Sequence, residues 1–443
     1  MDTPIWDFVQ SYAAADGVRF HMPGHKGRGI LGCERLDITE VAGADALYEA
    51  AGIIAASEEN ATQLFGSKRT LYSTEGSSQC IRAMLYLAMQ NRREGTPPVI
   101  VAARNVHKAF VYAAALLDLE IVWLWPEESV SLCGCPVSQT QLAQTLEQLD
   151  APPAAVYLTS PDYLGGIADI AALASVCHRH HTLLLVDNAH GAYLRFLKPS
   201  RHPLDAGADL CCDSAHKTLP VLTGGAYLHI GKEAPEGLAE QAKAAMALFG
   251  STSPSYLTLA SLDLANRELA EQYPEQLHTT VGAIERLKTD LQKNGWQIEN
   301  SDPLRLTLRT PQGMSGTGLA QHLREHKIEC EYADDVFLVL MLTPGNQEEE
   351  LERLHHILGV NHSPRVQIES LPTARGERVV SIRQALFAPH ELIPAEEALG
   401  RICGAPTVSC PPAIPIAVSG ERIGKEALAL FAYYGVKQVD VLK

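Results

Sequence analysis

A chain of 443 residues with 46% hydrophobic and 20% charged residues can build a large core, and general disorder is excluded. Asp and Glu number 52 against 36 Lys and Arg, a formal charge of −16 that repels phosphate backbones and anionic lipid. Nucleic acid and membrane surfaces are therefore poor partners, and the length suggests two or three domains. The opening Met1-Asp-Thr-Pro-Ile-Trp-Asp-Phe8 lacks a basic region followed by an apolar one, so no secretory signal is expected. No stretch approaches the roughly 18 apolar residues of a membrane span. Ten cysteines in such a chain read as reduced thiols of a cytoplasmic protein. Cys133-Gly-Cys135 and Cys211-Cys212 lack zinc-site spacing, and no metal is expected.

Residues up to about 70 are mixed, with Pro and Gly around Pro23–Gly32. Beyond them the pattern becomes regular. Ser77–Arg92 has helical spacing, Val99–Ala103 is of strand length, His107–Leu117 reads as a helix and Ile121–Trp125 as a strand. Ala155–Leu158 is a strand ending at Ser160-Pro161, Ile170–His180 a helix, and Leu183–Val186 a buried strand. Strands alternating with single helices predict an α/β fold with a mostly parallel sheet covered on both faces. After Asp263 the character changes. Leu264–Asn294 is largely helical, and from Trp296 strands (Leu304–Leu308, Val336–Leu342) mix with helices (Gly318–His326, Gln347–Leu358). Val360–Arg378 reads as a polar connector, and Pro394–Lys443 as a helix, a Pro-rich loop and a last helix. The expected division is a major domain over 1–270, a smaller α+β domain over 271–360 and a third over 361–443.

Three segments carry chemistry. Asp213-Ser-Ala-His-Lys-Thr218 follows an apolar strand-like run, Ala208–Cys212. Surface lysine is the ordinary reading, but an amine at a buried strand end can form a Schiff base once desolvation lowers its pKa. Leu184-Leu-Val-Asp187-Asn-Ala-His190-Gly191 places an acid directly after a buried strand, where parallel sheets bind ligands. That acid suits a helix cap, a metal or a pyridinium nitrogen. Ser73-Thr-Glu-Gly76-Ser77-Ser78 precedes a helix, as an ordinary N-cap or as an anion cradle of backbone N–H groups. Arg104-Asn-Val-His107 offers an imidazole past another strand.

Lysine, acid and phosphate cradle at strand ends together describe a pyridoxal phosphate (PLP) site. Here the chain resembles the Orn/Lys/Arg decarboxylases of the aspartate-aminotransferase-like (type I) fold. The resemblance runs through His21-Met-Pro-Gly-His-Lys-Gly27, Asp37-Ile-Thr-Glu40, Glu75-Gly-Ser-Ser78, Ser160-Pro-Asp-Tyr163, Asp187-Asn-Ala-His-Gly191, Ser214-Ala-His-Lys217, Ser251-Thr-Ser-Pro-Ser-Tyr256 and Cys410-Pro-Pro-Ala-Ile-Pro415. Because the chain starts close to the first motif, it resembles the short type, without the N-terminal wing domain of long members.

The resemblance implies roles. Lys217 would carry PLP, Asp187 would pair with the pyridine nitrogen, His107 would stack on the ring and Ala189 would pack under it. Gly76, Ser77, Ser78, Ser214 and His216 would hold the phosphate, and Thr252 would reach it from a neighbouring subunit in a homodimer or higher homo-oligomer with shared sites. Lys217 or His107 would protonate Cα, and Glu421, after the Pro-rich loop, is the expected carboxylate for the cationic side chain of the substrate. The implied reaction is decarboxylation of arginine, lysine or ornithine to the amine and CO2, in polyamine metabolism. The family commonly has Glu where this chain has Asn188, and Tyr-Pro-Pro-Gly-Ile-Pro where it has Cys410–Pro415. Two rival readings are another type I enzyme, an aminotransferase or lyase, and a non-catalytic homologue. Gly27-Arg-Gly-Ile-Leu-Gly32 matches G-x-G-x-x-G but follows no strand. His21 and His25 straddle Pro23-Gly24, which argues against a helical metal pair, and His178-Arg-His-His181 reads as a structural helix end.

Overall fold

The computed structural model describes residues 1–15, 17–127, 130–299, 301–365, 370–406 and 415–443. Thirteen strands are present among them: β1 Arg69–Ser73, β2 Val99–Ala103, β3 Glu120–Leu124, β4 Ala155–Thr159, β5 Leu183–Asp187, β6 Leu210–Asp213, β7 Ala226–Ile230, β8 Gln297–Ile298, β9 Arg305–Arg309, β10 Tyr332–Ala333, β11 Phe337–Met341, β12 His390–Pro394 and β13 Gln438–Leu442. The first seven form one sheet in the order β1-β7-β6-β5-β4-β2-β3. The fold is α/β of the expected kind. Its antiparallel element is β7, which runs against both β1 and β6.

The chain packs as two compact units, both discontinuous in sequence: residues 1–96, 150–157 and 170–275, and residues 97–149, 158–169 and 276–443. In the first, β5 and β6 pair in parallel, with Asp187 level with Cys212. Asp213 lies opposite Tyr227 and Ser73 opposite Ala226. Register therefore brings the ends of β1, β5 and β6 to one sheet edge, and the three chemical segments leave from it. The strands are apolar along both faces, and β6 and β7 are buried at every position. Such strands need helices on either side. Helix Ser77–Gln90 buries Ile81, Met84, Leu85 and Leu87, and Ile170–Arg179 buries Leu173, Val176 and Cys177.

In the second unit, β2 and β3 pair in parallel around helix Lys108–Leu117. A separate antiparallel sheet has the order β10-β11-β9-β8, accompanied by helices Gly316–Glu325 and Glu348–Leu358. The carboxy-terminal part differs from expectation. The helix expected after Pro394 is only a three-residue 3-10 turn, Ala395–Glu397, and helix Lys425–Tyr433 is followed by a closing strand, β13, paired with β12. Val439 and Val441 alternate with the polar Gln438 and Asp440 there, a period-two signal too short to read without its partner strand. Cys410–Ile414 of the Pro-rich motif lie outside the described residues. The nine described cysteines are free thiols, seven of them buried.

Candidate active site

Gly76 closes the turn after β1 with φ 71°, a conformation that favours glycine, and helix Ser77–Gln90 starts at the next residue. A Cβ on Gly76 would meet nothing closer than Ser78 N at 4.0 Å, so space is open at the helix mouth. Among the described residues, no side chain caps this helix. The first-turn N–H groups thus keep their capacity for an anion, supported by the helix dipole. Ser214 Oγ donates to Ser77 Oγ at 2.8 Å, so the hydroxyls expected at the phosphate converge.

Lys217 sits in the short helix Ala215–Thr218 that follows β6. Its Nζ lies 3.0 Å from His190 Nε2, which the turn after β5 supplies. Asp187, the last residue of β5, is 2% exposed. Tyr157 donates its hydroxyl to Asp187 Oδ2 at 3.0 Å, and Ala189 N donates to Oδ1 at 3.2 Å. Burial, then the charge of Asp187, holds the Tyr157 hydroxyl far above its ordinary range, so it remains a donor. His216 Nδ1 is 3.0 Å from the Gly225 carbonyl, which puts the ring proton on Nδ1. Ser251 N donates to Glu75 of the same chain, so the Ser251–Tyr256 motif adjoins the cradle within its own unit, with Thr252 exposed.

An amine, a buried carboxylate held by donors, two converging hydroxyls and an uncapped helix mouth match a cofactor with an aldehyde, a basic ring nitrogen and a phosphate. The first unit thus supplies a donor set that fits PLP. Two of its residues had no role in the sequence reading. His190 stands inside a quoted motif, so a signal existed. Tyr157 had none, because only sheet order brings β4 to Asp187.

His107 and Glu421 belong to the second unit, and the remaining histidines of the quoted segments to the first. His107 caps helix Lys108–Leu117, accepting Ala109 N at Nδ1 over 3.1 Å, which leaves the ring proton on Nε2. Glu421 is buried and bidentate to Arg104, at 2.6 Å from Nη1 to Oε1 and 2.7 Å from Nη2 to Oε2. Val418 N also donates to Oε2, and the guanidinium lies 4.7 and 4.5 Å from the ring centroids of Trp123 and Trp125. The carboxylate's charge is therefore already neutralised by Arg104. His21 and His25 are on no helix: His21 Nε2 is 2.5 Å from Tyr12 OH, and His25 Nε2 is 3.1 Å from Asp37 Oδ2. His178 Nε2 is 3.0 Å from Asp209 Oδ2.

The family described as "Orn/Lys/Arg decarboxylase, major domain" matches residues 3–308. The chain is 30% identical to the uncharacterized protein YaaO of Bacillus subtilis, over 97% of this chain and 93% of that one. It is also 30% identical to an arginine decarboxylase of Halalkalibacterium halodurans, over 96% and 92%. Among solved structures, the lysine decarboxylase LdcF of Francisella novicida superposes with a TM-score of 0.80 at 17% identity, covering 100% of this chain and 81% of that one. The chain belongs to the Orn/Lys/Arg decarboxylase family, the PLP-dependent amino-acid carboxy-lyases of fold type I.

Proposed function

We propose that this protein binds PLP on Lys217 and decarboxylates a basic amino acid to its amine and CO2, as a step of polyamine formation. The observation that carries the reading is the meeting, in one unit, of Ser77 with Ser214, of Lys217 with His190, and of Asp187 with Tyr157. Arginine leads lysine and ornithine, because relatives of nearly full coverage bear the name arginine decarboxylase. When bound, the cofactor supplies a protonated ring that draws electrons from the Cα–carboxylate bond.

The chain's own groups do the rest. Lys217 would hold the cofactor's carbonyl carbon, with His190 Nε2 3.0 Å from its Nζ and so in reach of its proton. Asp187 would keep a proton on the ring nitrogen, with Tyr157 and Ala189 N aiming its carboxylate. Gly76, Ser77, Ser78 and Ser214 would receive the phosphate, with His216 steadied on the Gly225 carbonyl. His107 and Thr252 keep the roles given by resemblance, at the ring and at a neighbour's phosphate. A second copy of the chain also accounts for Phe20, Met22, Ile30 and Leu31, apolar residues 71% or more exposed in one segment. Because Glu421 is spent on Arg104, a different carboxylate receives the substrate's cation.

The experiment is an assay of the purified protein, loaded with PLP, against arginine, lysine and ornithine, scoring CO2 and the matching amine. Release of a keto acid without CO2 would favour an aminotransferase. Absence of any cofactor absorption would favour a non-catalytic homologue.

A further inference from the structure

One buried carboxylate of the first unit has no part in the roles above. Asp213, the last residue of β6, is 0% exposed. Its Oδ1 accepts from Asn188 Nδ2 at 2.7 Å, and its Oδ2 from His202 Nε2 at 3.0 Å and His229 Nε2 at 3.1 Å. Leu204 N donates to His202 Nδ1, and Thr70 Oγ1 lies 2.8 Å from His229 Nδ1. Both imidazoles therefore carry their proton on Nε2 and direct it at the carboxylate. Cys211 Sγ is a further 3.8 Å neighbour of Oδ1. Donors that converge on an acid make a hydrogen-bond network, not a cation site.

The network spans two strand exits. Asn188 follows Asp187 directly, and its own N–H donates to the Cys212 carbonyl at 2.9 Å. Asp213 leads into Ser214, whose hydroxyl meets Ser77, and then into Lys217. We infer that Asp213 is a positioning residue for the cofactor site: through Asn188 it locks the exit of β5 to that of β6, and so fixes Asp187 relative to Lys217. His202 and His229 hold the same carboxylate by its second oxygen and set its rotamer. Gly191 makes room for the link, because a Cβ there would meet Asn188 Oδ1 at 2.1 Å. The inference rests on Lys217 and Asp187 being the cofactor residues.

The substitutions separate the link from the charge. Alanine at 213 or at 188 cuts the link. Asparagine at 213 removes the charge and keeps the shape. Asn188 Oδ1, which has no hydrogen-bond partner among the described residues, can then turn towards the new amide and preserve the link. The test is a PLP titration of purified apo-protein, read by cofactor absorption, with melting temperature in parallel. Asp213→Ala and Asn188→Ala should each weaken PLP binding about tenfold, one charge-assisted hydrogen bond's worth. The double variant should fall no more than about threefold below the weaker single, because both changes cut one link. Asp213→Asn should stay within about threefold of wild type. Wild-type PLP affinity in either alanine variant, whatever its melting temperature, overturns the inference, as do losses that multiply. If Asp213→Ala gives no soluble protein, Asn188→Ala against wild type decides. A wild-type protein that takes up no PLP overturns the reading of the site itself, and the positioning role with it. Normal uptake by wild type and alanine variants alike overturns only the positioning role.

Discussion

Glu421→Gln should destabilise the second unit rather than weaken substrate binding. The side chains of Arg104 and Glu421 are 0% and 6% exposed, and both guanidinium–carboxylate bonds are shorter than 2.8 Å. Gln keeps the volume and one acceptor, but it turns an amide N–H2 towards a guanidinium N–H and leaves the arginine's charge buried without compensation. Removing one partner of a buried pair costs on the order of 3–5 kcal/mol. For a cooperative unit of about 150–250 residues, roughly 2–4 °C per kcal/mol gives a fall of about 6–20 °C in melting temperature. Val418 N, which donates to Oε2, adds to the loss if the amide nitrogen takes that position. Differential scanning calorimetry of the PLP-loaded protein measures the shift, and KM for arginine is taken well below the melting transition. The double variant Arg104→Met/Glu421→Leu should recover most of the stability, since a well-packed apolar pair often equals a buried ion pair. An unchanged melting temperature with a KM raised tenfold or more would refute this reasoning and return Glu421 to the substrate.

Lys217→Ala should abolish the absorption of the lysine-bound cofactor, and borohydride reduction of wild type should fix a pyridoxyl group on the peptide containing Lys217; an adduct on Lys26 or Lys108 would displace the assignment. Asp187→Asn should lower turnover at least about a hundredfold with PLP still bound, since it removes a buried charged contact of about 3–5 kcal/mol; a near-wild-type rate at saturating PLP would make Asp187 a structural cap. A mixed dimer of Lys217→Ala with a disabling Thr252 variant should regain one site in two if Thr252 acts across subunits; no recovery would place Thr252 in the site of its own chain, where Ser251 already meets Glu75. Burial pushes the Asp162 carboxyl up to about 6 from an ordinary 3.8, so the folded chain holds a proton that the unfolded chain has released. Its contribution to stability is full below about pH 4 and is lost as pH rises through about 6; Asp162→Asn should flatten that decline in urea unfolding from pH 4 to 7, and an unchanged slope would exclude this carboxyl as its source.

Much of the site was legible because its residues stand at strand ends, and strand ends are marked locally. Asp187 and Asp213 close apolar runs, and Gly76 stops a strand before a helix. Those signals lie within a few residues of chain, where periodicity and small polar residues are enough to read them.

Partnership was not legible. Nothing near Glu421 announces that Arg104, 317 positions away, consumes its charge, and nothing near Asp213 announces His202, His229 and Asn188. Tyr157 became the donor to Asp187 only through sheet order, and β13 is a strand only because β12 lies beside it. By itself the sequence determined the residue types at the sheet edge, the alternation of strand and helix, and hence the fold class. Tertiary structure decided which carboxylates are spent on arginine or imidazole and which stay with the site, because an ionised group buried away from water is tolerable only where the fold delivers its partners.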